Sequence, residues 1–136
     1  MMSPFLLTGL LLLAPPVASP PSQDSSPLKA TEMTVCEEIV DRGCRGPSRS
    51  FGPDIDGVTF FSKIDGATGD AFVTHVWTFE GNEVRRVKLP VKTTSFRTWS
   101  SKRVKGLPGK WSVEVFDPVG RSIGVVDFVV EPPRTP

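Results

Sequence analysis

Residues 71–79 read AFVTHVWTF and residues 110–116 read KWSVEVF. In the first stretch Val73, His75, Trp77 and Phe79 fall on one side, and Phe72, Thr74, Val76 and Thr78 on the other. In the second, Trp111, Val113 and Val115 alternate with Lys110, Ser112 and Glu114. Successive side chains of a strand point to opposite faces, so a period of two with one apolar side is the pattern of a half-buried strand.

Outward from these stretches the same period recurs, and no window sustains a helical one. Val58, Phe60 and Ile64 share a face, and Gly66, Gly69 and Asp70 mark a turn before the 71–79 strand. Glu80-Gly81-Asn82-Glu83 reads as a hairpin turn, with a strand over Val84–Leu89 that Pro90 ends. Ser95–Arg103 follows, with Phe96, Thr98 and Ser100 opposite Arg97, Trp99 and Ser101; either that aromatic or Phe96 is the one left outside. Turns at Leu107-Pro108-Gly109 and at Asp117-Pro118-Val119-Gly120 frame the 110–116 strand, and Ile123–Val130 closes the unit. An earlier strand lies around Thr31–Ile39. About seven strands with a turn signal roughly every 8–12 residues predict an all-β fold, a small antiparallel β-sandwich of immunoglobulin-like kind. A small barrel is the competing architecture.

A chain of 136 residues holds one domain of ordinary size. Residues 5–14, FLLTGLLLLA, are apolar and uncharged. Spanning a bilayer takes about 20 such residues, so the run suits the core of a signal peptide over residues 1–19. The other reading is a hydrophobic tail of an intracellular protein. Residues 20–30 are rich in Pro and Ser and read as a linker, residues 31–131 as the sandwich, and residues 132–136 as a Pro-rich tail. The expected location is exported, periplasmic or extracellular, with no transmembrane segment once the signal is removed.

Cys36 and Cys44 are the only cysteines, an even count in a chain read as exported. Eight extended steps would hold them roughly 26 Å apart, so a disulfide requires the chain to reverse between them. Asp41-Arg42-Gly43 supplies a turn, with Gly43 free to take a positive φ. A free thiol pair and a redox couple are the alternatives, although the spacing is not that of a C-x-x-C motif. With His75, the sole histidine, the cysteines would give a metal only three distant ligands, so no metal site is expected.

Charge is distributed unevenly. The chain carries 16 Lys+Arg and 15 Asp+Glu, a net charge of +1. Between Val84 and Val113 stand nine basic residues, Arg85, Arg86, Lys88, Lys92, Arg97, Lys102, Arg103, Lys105 and Lys110, with no Asp or Glu. Consecutive strands of one sandwich could turn these toward an anionic partner. The candidate ligand-binding residues are Arg85, Arg86, Lys92, Arg97, Trp99 and Lys102, with Trp99 placed to stack on a sugar or a base. An acidic polysaccharide, an anionic lipid surface or an acidic protein are the partners considered; the exported setting argues against nucleic acid. The opposing reading is a solvated face balanced by acids elsewhere in the domain.

The wording of several segments adds a resemblance. His75-Val76-Trp77, the run from Gly81 to Val91, Arg97-Thr98-Trp99-Ser100-Ser101-Lys102, Pro108-Gly109-Lys110-Trp111, Gly120 and the Phe128-Val129-Val130 ending together resemble the bacterial family called domain of unknown function 2914. Phe60-Phe61-Ser62 and Val40-Asp41-Arg42 look like its earlier segments, whereas Cys44–Ser50 departs from the family's simpler turn. The resemblance implies a small β domain in an envelope or membrane context and carries over no catalytic residue.

The chemistry expected is binding. Ser100 and Ser101 lack a G-x-S-x-G elbow, and phosphate-cradling glycine loops are absent. No enzyme activity, catalytic residue or cofactor is expected. A module for an anionic envelope polymer or glycan is the first functional expectation, and a protein-interaction or structural domain of the envelope is the second.

Overall fold

The computed structural model describes residues 27–134, and among these the chain forms ten strands and no helix. Seven are long: β1 (Lys29–Cys36), β5 (Gly57–Asp65), β6 (Ala71–Phe79), β7 (Asn82–Val91), β8 (Ser95–Arg103), β9 (Gly109–Phe116) and β10 (Ser122–Val130). Three are short: β2 (Glu38–Val40), β3 (Gly43–Arg45) and β4 (Ser50–Phe51). The long strands are those the period of two marks out. The short ones carry too few residues for any alternation to be read. The expected signal peptide, the linker up to residue 26 and the last two residues of the tail lie outside the described residues.

Two sheets face each other. One has the order β1-β5-β8, the other β4-β10-β9-β6-β7, and β2-β3 form a separate hairpin. All the long-strand pairings are antiparallel, while β4 runs parallel to β10. With the long strands lettered A, B, C, C′, E, F and G in chain order, the sheets are A-B-E and G-F-C-C′. This is the strand partition of an immunoglobulin-like sandwich.

Four boundaries differ from the sequence reading. The domain begins before Thr31: Lys29 already pairs with Asp65, and Leu28 is buried. A side chain at Gly66, whose φ is 104°, would collide with the carbonyl of Pro27, so the chain enters against a residue with no Cβ. β1 stops at Cys36, where the chain turns into the hairpin instead of running on to Ile39. Pro90 lies inside β7 and does not end it. β7 is an edge strand, where a missing N–H breaks no ladder bond. The reversal between the cysteines is made by Asp41 and Arg42, at φ 52° and 64°, with Gly43 already in β3. A two-residue hairpin loop of the twist-compatible type needs positive φ at both central residues, and here non-glycine residues provide it. Glu80 and Gly81, at φ 49° and 84°, do the same between β6 and β7.

The core is built from the inward rows. Val58, Phe60 and Ile64 of β5 meet Val73 and Trp77 of β6 and Trp111, Val113 and Val115 of β9. Phe128 gathers the aromatics at one end: Trp111 stacks on it at 5.9 Å, and Trp77 and Phe51 meet it edge-on at 6.2 and 5.7 Å. Fully burying a large apolar side chain contributes roughly 1.5–3 kcal/mol, so these rows carry most of the stability.

Between the sheets lies one polar chain. His75 of β6 is completely buried, with Nε2 3.0 Å from Ser62 Oγ and Nδ1 2.7 Å from Ser100 Oγ. The Trp77 indole N–H donates to the same Ser100 oxygen at 3.0 Å. Ser62 and Ser100 belong to the three-stranded sheet, His75 and Trp77 to the five-stranded one. Either neutral tautomer of His75 uses both ring nitrogens here. Burial away from water lowers its pKa from 6.5 to about 3.

The disulfide Cys36–Cys44 is formed, with Cα atoms 5.7 Å apart. It ties the hairpin back to β1, and Cys44 Sγ lies 4.0 Å from the Thr34 carbonyl oxygen.

Two outcomes are expected. Below pH 6.5 the unfolded chain takes up a proton at His75 that the native state refuses, so stability falls by roughly 1.4 kcal/mol per pH unit down to the native pKa. Urea unfolding at pH 7, 6, 5 and 4 should show this slope, and His75→Leu should remove this contribution to it. Replacing both cysteines by Ser should lower stability by roughly 2–3 kcal/mol in the chain-entropy account of a short loop, measured by the same titration.

Candidate functional site

The six candidate residues divide among several surfaces. Arg86 lies on the outer face of the five-stranded sheet, where its Nε and Nη2 donate to Glu83 at 3.1 and 2.9 Å. That hydrogen bonding raises the Arg86 pKa and holds the Glu83 carboxyl below its usual range, in a pair that solvent screens on the surface. Lys92 stands exposed in the loop between β7 and β8. Arg97 and Trp99 share the outer face of the three-stranded sheet, Arg97 exposed and Trp99 half-buried; Thr98 and Ser100 are the residues that turn inward. Phe96 packs against the core. Only Arg85 and Lys102 meet, in a groove between the edges of the two sheets.

That groove has a volume of about 420 Å³ and is lined by Gly57, Val84, Arg85, Ser101, Lys102 and Arg103. Its position follows from the strands. β7 and β8 are edge strands of different sheets joined by a short loop, and next to that loop Val91 is buried. At the far end the edges part. A bulge sets Val84 out of register, since Trp77 pairs with Arg85 and Thr78 with Glu83. Arg85 thereby takes the inward side of β7, as Trp77 does on β6, yet remains exposed because the edges have separated.

The three cations at this mouth are held differently. Lys102 is half-buried; its Nζ lies 6.0 Å from the centre of the Trp111 ring and donates to the Arg103 carbonyl at 3.1 Å. Arg103 stands 3.6 Å from Asp56, with both side chains largely exposed. The Arg85 side chain makes no hydrogen bond or ion pair among the described residues. Of the nine basic side chains in the window, those of Arg86 and Arg103 alone reach a carboxylate among the described residues. Arg103 was visible in the sequence as part of the window, but the period of two could not show that β7 and β8 bring it to Arg85.

Two other constellations resolve into structure. Ser100 does lie against an imidazole, but the pair is enclosed between the sheets, with His75 fully buried and Ser100 6% exposed. Cys36 and Cys44 are bonded to each other, and His75 sits in the core, so these three do not gather around a metal.

The family model described as "Protein of unknown function (DUF2914)" matches residues 70–130. This segment belongs to the DUF2914 family. The DUF2914 match takes in β6 to β10, hence β7, β8 and all six candidate residues, and leaves out β1 to β5 with the disulfide. No curated protein matches the chain. Among solved structures, a β-glucosidase from Kluyveromyces marxianus is similar at 11% identity with a TM-score of 0.44, over 77% of this chain and 14% of that one. An endonuclease/exonuclease/phosphatase from Beutenbergia cavernae is similar at 13% identity with a TM-score of 0.34, over 76% of this chain and 35% of that one. The chain spans well under two thirds of either, and neither likeness bears on function.

Of the three tryptophans, Trp77 and Trp111 are buried and Trp99 is half-buried on an outer face. Iodide should therefore quench one component of the fluorescence, and Trp99→Phe should abolish that component while leaving the shielded emission in place.

Proposed function

We propose that the protein is an exported, non-catalytic binding module whose groove between β7 and β8 holds an anionic envelope polymer, an acidic polysaccharide before a lipid surface or an acidic protein. The observation that carries this reading is the convergence of Arg85, Lys102 and Arg103 on one open groove, with Arg85 free of any acidic partner among the described residues. Guanidinium groups present planar donor forks that match carboxylates, and an open groove admits a chain where a closed pocket would admit only a small molecule. The disulfide supports an oxidising compartment outside the cytoplasm. Among the described residues no helix is long and apolar enough to cross a membrane. The enclosed position of His75 supports a non-catalytic role, since no substrate reaches the sole imidazole. A net charge of +1 on the whole chain weighs against nucleic acid, whose binding domains are strongly basic.

A second reading, contact with another protein, draws on Val125 and Val129, exposed on the outer face of the five-stranded sheet. Asp127 stands between them on the same strand face, so they do not form a continuous apolar patch.

Retention on an immobilised polyuronate across a salt gradient tests the first reading. The wild-type chain should elute late, and the triple variant Arg85→Ala/Lys102→Ala/Arg103→Ala should elute at clearly lower salt. Equal, weak retention of both would overturn it and leave protein contact as the reading to pursue.

A further inference from the structure

A second groove, of about 570 Å³, opens on the outer face of the three-stranded sheet, away from the β7–β8 edge. One wall is the outer side of β1, including Thr31, Glu32 and Thr34, and the other is the tip of the β2–β3 hairpin, with Asp41 and Arg42. Phe61 of β5 and Arg97 of β8 complete the lining. The wall exists because the disulfide draws the hairpin back toward β1 and because the tight turn at Asp41-Arg42 keeps the hairpin short. Phe61 is only 6% exposed although it sits on an outward-facing position, in register with Trp99.

The charged groups of this lining are uncommitted, while the Thr31 hydroxyl donates to the Lys63 carbonyl at 3.4 Å. The guanidinium groups of Arg42 and Arg97 form no ion pair or hydrogen bond among the described residues, and neither do the carboxylates of Glu32 and Asp41. The groove therefore offers guanidinium donors and carboxylate acceptors above the largely covered Phe61 ring. Beside that ring, the Trp99 indole N–H is also without a partner among the described residues.

This mixture selects among ligands. A uniformly anionic chain would meet Glu32 and Asp41. An apolar peptide would strip water from four charged groups and give them nothing in return. A nucleic acid would meet the same two carboxylates on a chain with little net charge. A sugar ring suits this lining: its hydroxyls both donate and accept, and its C–H face can pack on the half-buried Trp99 that stands in register beside Phe61. We propose that the groove between the disulfide-tied hairpin and the three-stranded sheet is a saccharide-binding site that takes one or two neutral, hydroxyl-rich sugar units. This site is separate from the edge groove and does not depend on the reading given to it. The two are nonetheless related. Arg97, Trp99, Ser101 and Arg103 share the outer side of β8 and span about 20 Å at strand rise, so one glycan could extend from the saccharide site to the cationic mouth.

The test is an amide-shift titration of the full, oxidised chain with cellohexaose, chitohexaose and mannohexaose. A hexauronate and hexathymidylate run beside them. At least one neutral oligosaccharide should shift the amides of residues 31–34, 42–44, 61 and 97, with an affinity insensitive to salt. Arg42→Ala and Arg97→Ala should each weaken that binding about tenfold or more, the loss expected for a hydrogen bond to a charged group. Arg85→Ala/Arg103→Ala should leave it intact, which separates this site from the edge groove. Both replaced arginines of the groove are exposed, so the variants keep their fold, and the remaining amide spectrum verifies this. Cys36→Ser/Cys44→Ser, or reduction of the wild type, should abolish binding by releasing the wall. The proposal is overturned if no neutral oligosaccharide moves these amides at millimolar concentration. Shifts caused only by the hexauronate or by hexathymidylate overturn it as well, as does undiminished saccharide binding by the cysteine-free variant.

Discussion

Most of this structure depends on a neutral imidazole held where water cannot reach. Ordinary apolar rows would let two sheets slide or rotate over each other at small cost, because dispersion and burial have little direction. The Ser62–His75–Ser100–Trp77 chain removes that freedom, since its bonds run from one sheet to the other and each must be made at hydrogen-bond distance. A displaced sheet would strand several buried polar atoms at once, each costing about 1–3 kcal/mol. The same enclosure that fixes the sheets removes the one histidine from chemistry.

Unequal sheet widths set what happens at the rim. Three strands face five, and β7 and β8 come together next to the loop that joins them and separate at the other end. An edge strand is open to pairing with other chains, and Arg85, Arg86, Lys88 and Pro90 on β7 are the kinds of residue that discourage it. Two of these charges are already occupied: Arg86 by Glu83, and Lys88 by the Phe72 ring at 3.9 Å. Arg85, which turns toward the parted edges, is not used in this way among the described residues. A single run of basic residues thus serves two purposes, and the register of β7 decides which side chain serves which.

The sequence was legible where a property is local and periodic. The strands over Ala71–Phe79 and Ser95–Arg103 could be read to the residue, and so could the inward rows of Trp77 and Trp111, because alternation along one strand reports that strand's own two faces. What alternation does not report is which strands become neighbours. Arg97 and Lys102 are five positions apart on one strand, and an odd interval sends them to opposite faces; this much was readable, whereas the meeting of Arg85 with Arg103 depends on two sheets being brought together. The meeting of Arg42 with Arg97 was hidden for the same reason, since a hairpin of three-residue strands folds across the sheet by way of a covalent bond. The turn at Asp41-Arg42 was obscured differently: Gly43 looked like the flexible residue, but the tight loop placed its positive φ values on the two residues before it.

The parallel pairing of β4 with β10 has a mechanical meaning. Tension entering β4 from its N-terminal side and β10 from its C-terminal side acts along the two strand axes in opposite senses. The bonds that join them, Val129 N–H to the Arg49 carbonyl and Glu131 N–H to the Phe51 carbonyl, lie across that direction and bear the load together instead of opening one after the other. Two residues of strand, too short to be noticed in the sequence, therefore act as a latch in shear.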